Sequence, residues 1–222
     1  MLSDVASHSS ERLSGRPRDP AIDRAILEAT LDVLRKNGYS GFSLEAVATG
    51  AGTTKPSILR RWPNRQHLII AALVTVLVTP PVPDTGCTRC DLIVSLELLA
   101  DALLRRVPPG VLAPLLADCS ADPELRQHLT SALVQPARDA VAATVARAID
   151  RGHLRPGLDA DLVVDMLASV VFQGNMFGES RFPVDLAAHV VDVLLQGIAV
   201  DFDELVAISR ATPKSHRHRH DT

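Results

Sequence analysis

The stretch from Ser43 to Arg65, S-L-E-A-V-A-T-G-A-G-T-T-K-P-S-I-L-R-R-W-P-N-R, constrains this chain more than any other. Ser43 is a natural N-cap, Glu45 sits in the electropositive first turn, and Leu44, Val47 and Ala48 form a short apolar face. Gly50-Ala51-Gly52 then breaks the helix. Thr54 caps a second helix that tolerates Pro56 in its first turn, where a missing N–H leaves nothing unpaired. Two helices crossing over a tight turn need a small residue for close approach, a glycine for positive φ and an apolar tie from the second helix. Ala48, Gly52 and Ile58 stand at those places. The pattern is that of a helix-turn-helix, with Lys55, Ser57, Arg60 and Arg61 left to face outward. Cations and hydroxyls are the groups that bind phosphates and base edges.

The rest of the chain reads as helical. Apolar residues recur at helical spacing, few alternating β-branched runs occur, and aromatics are scarce, so the core is built from Leu, Val, Ala and Ile. The fold class expected is all-α. A net charge of −3 does not by itself suggest a partner for phosphate. Its distribution does: Met1 to Ile70 carries ten Lys and Arg against seven Asp and Glu, which leaves an acidic remainder. No run of about 18 apolar residues spans a membrane, and Met1 to Ser10 lacks the apolar core of a signal peptide. The expectation is a cytoplasmic protein with no membrane partner.

In chain order, residues 1–18 form a polar arm in which Arg16 and Arg18, around Pro17, suit a narrow minor groove. A flexible basic terminus is the alternative. A first helix is predicted over 20–37, with Asp19 as N-cap, Gly38 as its stop and Ile22, Ile26, Ala29 and Val33 on its buried face. Phe42 is expected under the motif. Trp62 has two readings, a packing anchor or an indole donor to phosphate. A further helix follows over 66–78.

The segment from Asp19 to Val74 resembles the DNA-binding domain of the TetR family of bacterial transcriptional regulators. The resemblance is carried by Lys36-Asn37-Gly38-Tyr39, by Phe42 to Ala48, by Ala51-Gly52 and by Lys55 to Pro63. It implies three helices for DNA binding, a divergent all-α C-terminal domain that takes a small effector, and a homodimer built through the last two helices. Leu59 departs from the family, which usually has a phosphate-touching tyrosine there. The DNA-binding set is therefore Arg16, Arg18, Ser43, Thr54, Lys55, Pro56, Ser57, Leu59, Arg60, Arg61 and Arg65. Thr54, Ser57, Arg61 and Arg65 are assigned to phosphates, and base readout falls to some of Lys55, Pro56, Ser57 and Arg60. The function expected is a dimeric regulator, usually a repressor, of a palindromic double-stranded DNA operator, released by a small molecule. The alternatives are a ligand-binding or interaction protein with weakened DNA binding, or an activator on the same fold.

The proline-rich run from Thr79 to Gly86 divides a DNA-binding domain over 19–78 from an effector and dimerisation domain over 79–210. Within the second, helices are predicted over 91–106, to about 118, over 123–151, over 160–176 and over 184–209. The apolar faces of the last two exceed what a surface helix needs, and a two-fold bundle would bury the surplus. For the effector, His128, Met166, Gln173, Asn175 and Met176 interrupt or line apolar helices, and polar groups there either orient a ligand or satisfy the core. Cys87 and Cys90 form a pair without the further ligands zinc requires, so no metal or cofactor is assigned and the cysteines are expected as reduced thiols. The His/Arg tail over 211–222 is expected to be solvated, with metal or phosphate binding as the alternative. No nucleophile with an adjacent base and no phosphate loop suggests an enzyme.

Overall fold

The computed structural model describes residues 19–77, 83–177, 182–183 and 185–212. The arm with Arg16 and Arg18, the tail from 213 and residues 79–82 of the proline-rich run lie outside the described residues. Among those described there is no strand, only one antiparallel bridge between Leu154 and Ala199.

Helix α1 (Pro20–Asn37) begins where Asp19 Oδ1 accepts from the N–H of Ala21 at 2.9 Å, and it stops at Gly38, whose φ of 66° few other residues adopt readily. Ile26, Ala29 and Val33 are buried as their spacing predicts, whereas Ile22 remains 37% exposed on the first turn. Helices α2 (Leu44–Gly50) and α3 (Lys55–Leu59) follow, then α4 (Arg65–Val76). Helix α4 starts a residue before the predicted point because Asn64 caps it, accepting from the N–H of His67 at 2.9 Å. Leu68, Ile69, Ile70, Ala72 and Leu73 of α4 are all fully buried. A helix apolar all round has to be covered on several sides. Helix α1 covers one side of α4, and the C-terminal helices cover another.

Helix α5 (Thr88–Asp101) begins three residues before the predicted 91, because Cys87 takes the N-cap position. A π-helical turn (Ala102–Arg106) continues it, and α6 (Leu112–Ser120) follows. The long helix predicted over 123–151 consists of α7 (Pro123–Leu129), a second π turn (Thr130–Val134) and α8 (Gln135–Asp150). Pro136 accounts for the second π turn. It has no N–H for the carbonyl of Ala132, and its ring would collide with that carbonyl in regular α geometry, so the preceding turn widens.

Helix α9 (Ala160–Met176) matches its prediction. The single helix expected over 184–209 does not form. The chain instead makes α10 (Leu186–Ile198) and α11 (Phe202–Ala211), with Ala199 extended between them. Arg155 N–H donates to Ile198 O and Val200 N–H to His153 O, each at 3.0 Å, so the turn after α8 satisfies the backbone of the break. Asp201 then caps α11 by accepting from Glu204 N–H at 3.0 Å. One continuous core runs through both halves, from Ile26 to Leu205, with Phe42 buried in it and Trp62 packed against it.

Candidate nucleic-acid interface and effector cavity

The helix-turn-helix assembles from local signals. Ser43 Oγ accepts from Ala46 N–H at 3.0 Å, and Thr54 Oγ1 accepts from Ser57 N–H at 3.4 Å, so both caps are in place. Gly52 takes a φ of 60°. Thr53 N–H then reaches back to Ala48 O at 2.9 Å, closing the turn on a buried alanine. Ile58 is completely buried and ties α3 to the core. Thr54, Lys55, Pro56, Leu59 and Arg60 are exposed on α3 and its ends, with Ser57 half-buried among them. Ser43 is half-buried at the start of α2.

Their charges are held ready by neighbours. Lys55 Nζ donates to Glu45 Oε1 at 2.6 Å, which holds the Glu45 carboxyl below its ordinary range. Both groups are exposed, so the pair adds little to stability and exchanges readily for a phosphate. Arg60 Nη2 donates to Ser57 Oγ at 3.3 Å. Two of the expected cations do not face outward. Arg61 turns back to pair with Asp23 of α1 and donates to Ser57 O at 3.0 Å. Arg65 lies over the Tyr39 ring at 4.5 Å and the Phe42 ring at 5.5 Å, donating to Tyr39 O at 2.6 Å. The reason is geometric. Residue 61 follows the last turn of α3 on the side of α1, and residue 65 opens α4 above two aromatic rings that attract a guanidinium.

Helix α4 links this region to the C-terminal half through polar contacts that sequence reasoning missed. Tyr39 Oη donates to Asp118 of α6, and Gln66 Nε2 donates to the same carboxylate at 2.9 Å. The Tyr39 hydrogen bond, then that from Gln66, lowers the Asp118 pKa, while burial and then Asp118 push the Tyr39 phenol well up. His67 stacks on His128 with ring centroids 4.8 Å apart. Burial first, then the neighbouring His128, lowers the His67 pKa from its ordinary 6.5. His128, expected as a ligand contact, belongs to this junction. Its only sequence signal was a polar residue on a helix.

An apolar site lies between α5, α6, the two π turns, α8 and α9. It is a cavity of about 130 Å³ walled by leucines such as Leu96, Leu99, Leu103, Leu129 and Leu133, with Val164 and Phe172 on α9. Both π turns contribute to its wall, through Ala102 and Leu103 and through Ala132, Leu133 and Val134. Such turns recur at functional sites because the widened backbone opens space beside the helix. Leu77, immediately beyond α4, also lines it.

Ser95 and Arg138 are the polar side chains in the wall, and both are engaged. Ser95 Oγ donates to Asp91 O at 2.8 Å, and Arg138 pairs with Asp165 and Asp161 of α9, which raises its pKa further. The expected effector residues are elsewhere. Leu162, Met166, Ser169, Gln173 and Met176 form an exposed stripe on α9, opposite the cavity-facing Val164, Leu167, Ala168 and Phe172. Asn175 Nδ2 donates to Leu103 O at 2.9 Å behind the first π turn.

The cysteines also depart from expectation. Cys87 and Cys90 are joined in a disulfide, with Cα atoms 5.2 Å apart, and Cys119 is a buried free thiol whose pKa burial raises. Among the described residues no helix is long and apolar enough to cross a membrane.

The two halves match two family models: bacterial regulatory proteins of the tetR family over residues 26–72, and the tetracyclin repressor-like C-terminal domain over 82–194. The chain is 31% identical over 173 residues to the DNA-binding transcriptional repressor TetR of Mycobacteroides abscessus, covering 77% of this chain and 90% of that protein. It is 30% identical over 159 residues to the HTH-type transcriptional regulator YdeS of Bacillus subtilis, covering 71% of this chain and 80% of the relative. The fold is similar to that of the TetR family transcription regulator SCO0332, with a TM-score of 0.62 at 24% identity over 79% of this chain and 97% of that one. With a capped helix-turn-helix carried on a helical body and both halves matching, the chain belongs to the TetR family of DNA-binding transcriptional regulators.

Proposed function

We propose that the protein is a homodimeric repressor of a palindromic operator, and that an uncharged, apolar small molecule entering the C-terminal cavity releases it. The observation that carries this reading is that α4 leaves the helix-turn-helix and packs against the second π turn, whose other side walls the cavity. A ligand pressing on Leu133 and Val134 moves the helix that sets the angle of α3. The relative in Mycobacteroides abscessus, named a repressor, supports the sign of regulation.

The class of effector follows from the wall. A charged ligand would need an unengaged counter-charge or donor, since an unpaired buried charge is costly. The Ser95 hydroxyl already donates its hydrogen bond to Asp91 O, and Arg138 already faces two carboxylates. An alkyl or aromatic molecule needs neither. The apolar surface it removes from water contributes roughly 25 cal/mol per Å².

For DNA, Lys55, Pro56, Ser57 and Arg60 read bases, and Thr54, Ser43 and the arm with Arg16 and Arg18 hold the backbone. Arg61 and Arg65 serve first by fixing α3 and α4, and they reach phosphate only if they leave Asp23 and Tyr39. Leu59 is 39% exposed and offers apolar contact where a hydroxyl would have bonded phosphate. The dimer forms through α9 and α10, where Leu162, Met166 and Val193 are 57%, 53% and 73% exposed. The division at the proline-rich run separates the DNA-binding and effector domains, and the protein works in the cytoplasm beside its DNA.

The test is selection from randomised duplex DNA by wild type and by Arg60→Ala and Lys55→Ala, followed by a screen of apolar and anionic compounds against the enriched site. An inverted repeat blurred in the variants and released by uncharged apolar compounds supports the reading. Enrichment of no sequence at low salt by ligand-free protein, or release by anionic compounds alone, overturns it.

A further inference from the structure

The Cys87-Thr88-Arg89-Cys90 segment takes no part in the DNA or effector sites, yet it stands at a junction of the fold. Cys87 is the N-cap of α5 and is 1% exposed, and its Sγ accepts from the N–H of Cys90 at 3.2 Å. Cys90 is half-buried, with its sulfur 3.5 Å from Ser209 Oγ of α11. Between them Arg89 makes two hydrogen bonds to Asp192 of α10, at 2.6 and 2.9 Å, and a third to Ser209 at 2.9 Å. Asp192 adjoins Val193, the most exposed apolar side chain of α10. The next residue, Asp91, is buried and accepts from Thr85 N–H and Oγ1, tying the same turn to the segment that enters α5.

We propose that Cys87 and Cys90 are a site of reversible thiol oxidation whose substrate class is small hydroperoxides, and that Arg89 conveys the state of the pair to α10. The chemistry suits the placement. A thiol at a helix N-terminus gains from the N–H groups and the macrodipole there, which favour its thiolate. Cys90, the more accessible sulfur, attacks the peroxide oxygen. The O–O bond breaks, leaving a sulfenic acid on Cys90 and releasing one molecule of water or alcohol. Cys87 thiolate attacks the Cys90 sulfur, the S–O bond breaks, and the departing hydroxide takes up the proton given by the Cys87 thiol as a second water. Two thiols have lost two electrons and two protons, and the peroxide has gained them. Small thiols such as glutathione reverse the step by thiol–disulfide exchange.

The disulfide closes the first turn of α5 around Arg89 and holds the guanidinium against Asp192 and Ser209. Reduction frees the turn, loosens α10 and weakens the dimer that grips the operator. The site is independent of the effector cavity, and its chemistry can be read without DNA.

The test uses full-length protein without effector. Reduced wild type, Cys87→Ser, Cys90→Ser and Cys119→Ser are exposed to stoichiometric hydrogen peroxide, then alkylated and weighed intact. Wild type and Cys119→Ser are expected to protect the pair, Cys87→Ser to give a dimedone-trappable sulfenic acid at Cys90, and millimolar glutathione to restore both thiols. Operator affinity, measured by fluorescence anisotropy, is expected to fall about fivefold on reduction, a coupling of ordinary size. Arg89→Lys, checked for retained helicity, should keep the oxidation and lose that difference. Free thiols after peroxide, a disulfide that glutathione cannot reduce, or equal operator affinity of the two forms would overturn the proposal.

Discussion

The helix-turn-helix and the apolar cavity of the C-terminal half are built in opposite ways. In the first, every structural requirement is met by a residue within about two turns of the next: Ser43, Ala48, Gly52, Thr54 and Ile58 supply two caps, a close approach, a positive φ and an apolar tie. In the second, the wall comes from several helices and both π turns, scattered from Leu77 to Phe172, and no single side chain names the ligand. A local motif concentrates its energetics in a few positions, and a distributed apolar cavity spreads them. That contrast predicts how each region responds to single substitutions.

The largest effect is expected at Ile58. Ile58→Ala removes a fully buried side chain from a five-residue helix that has little else to hold it, at a cost of about 2–5 kcal/mol. Operator binding should vanish, while the C-terminal half keeps its helicity and any effector affinity. Calorimetry and circular dichroism on the variant check this, and loss of effector binding along with DNA binding would break the contrast between the regions.

Filling the cavity should be next in size. Ala137→Trp or Ala168→Trp places a large ring in the wall, so effector response should fall at least tenfold, about 1.4 kcal/mol, with operator affinity unchanged. Truncating one wall residue, as in Leu99→Ala, should weaken an apolar ligand and leave some response. A single leucine that abolished all response on its own would show the cavity to be as concentrated as the motif.

Arg60 and Arg61, neighbours in sequence, sharpen the comparison within the motif itself. Arg60→Ala should leave thermal stability unchanged, lower operator affinity by about 1–3 kcal/mol and blur one base position if it reads a base. Arg61→Ala should lower the melting temperature, because it strands Asp23 half-buried without its partner. Melting curves beside salt-dependent binding isotherms distinguish the two, and the reverse pattern would return Arg61 to the phosphate-facing set.

These expectations mark what the sequence made legible. Caps, turn glycine and basic face are local, so α1 to α4 were readable almost residue by residue. The burial of Arg61 and Arg65 was not, because it depends on Asp23 and on the Tyr39 and Phe42 rings, which only the folded chain brings near. In the C-terminal half most helices were legible but their faces were not: α9 is apolar on both its cavity side and its outer stripe, so periodicity could not say which side faces the cavity. Met166 and Met176 looked like pocket residues for that reason, and they lie on the exposed stripe. The break between α10 and α11 was signalled by Gly197 and by Asp201, with Asp203 and Glu204 in the turn that follows, but these signals are short against the apolar stretches on either side.

The smallest expected effect lies at the seam between the two regions. His67 of α4 stacks on His128 of α7, near Asp122 and Glu124, and its pKa is lowered chiefly by burial. A base with a lowered folded-state pKa binds its proton more weakly than the unfolded chain does. Between that lowered value and 6.5 the unfolded state therefore carries more protons, and stability rises with pH. The His67 contribution is complete above pH 6.5 and is lost as pH falls below it. His67 is only half-buried, and Asp122 and Glu124 oppose the shift, so the change should be well below that of the Arg61 substitution. His67→Gln keeps the polar side chain and removes the titration. Its melting temperature should lie close to wild type at pH 7.5 and should fall less between pH 7 and pH 5.5. If the two proteins instead lose stability in parallel across that range, the histidine stack does not sense pH, and the link between the regions rests on the apolar packing of α4 and on the Tyr39, Asp118 and Gln66 contacts.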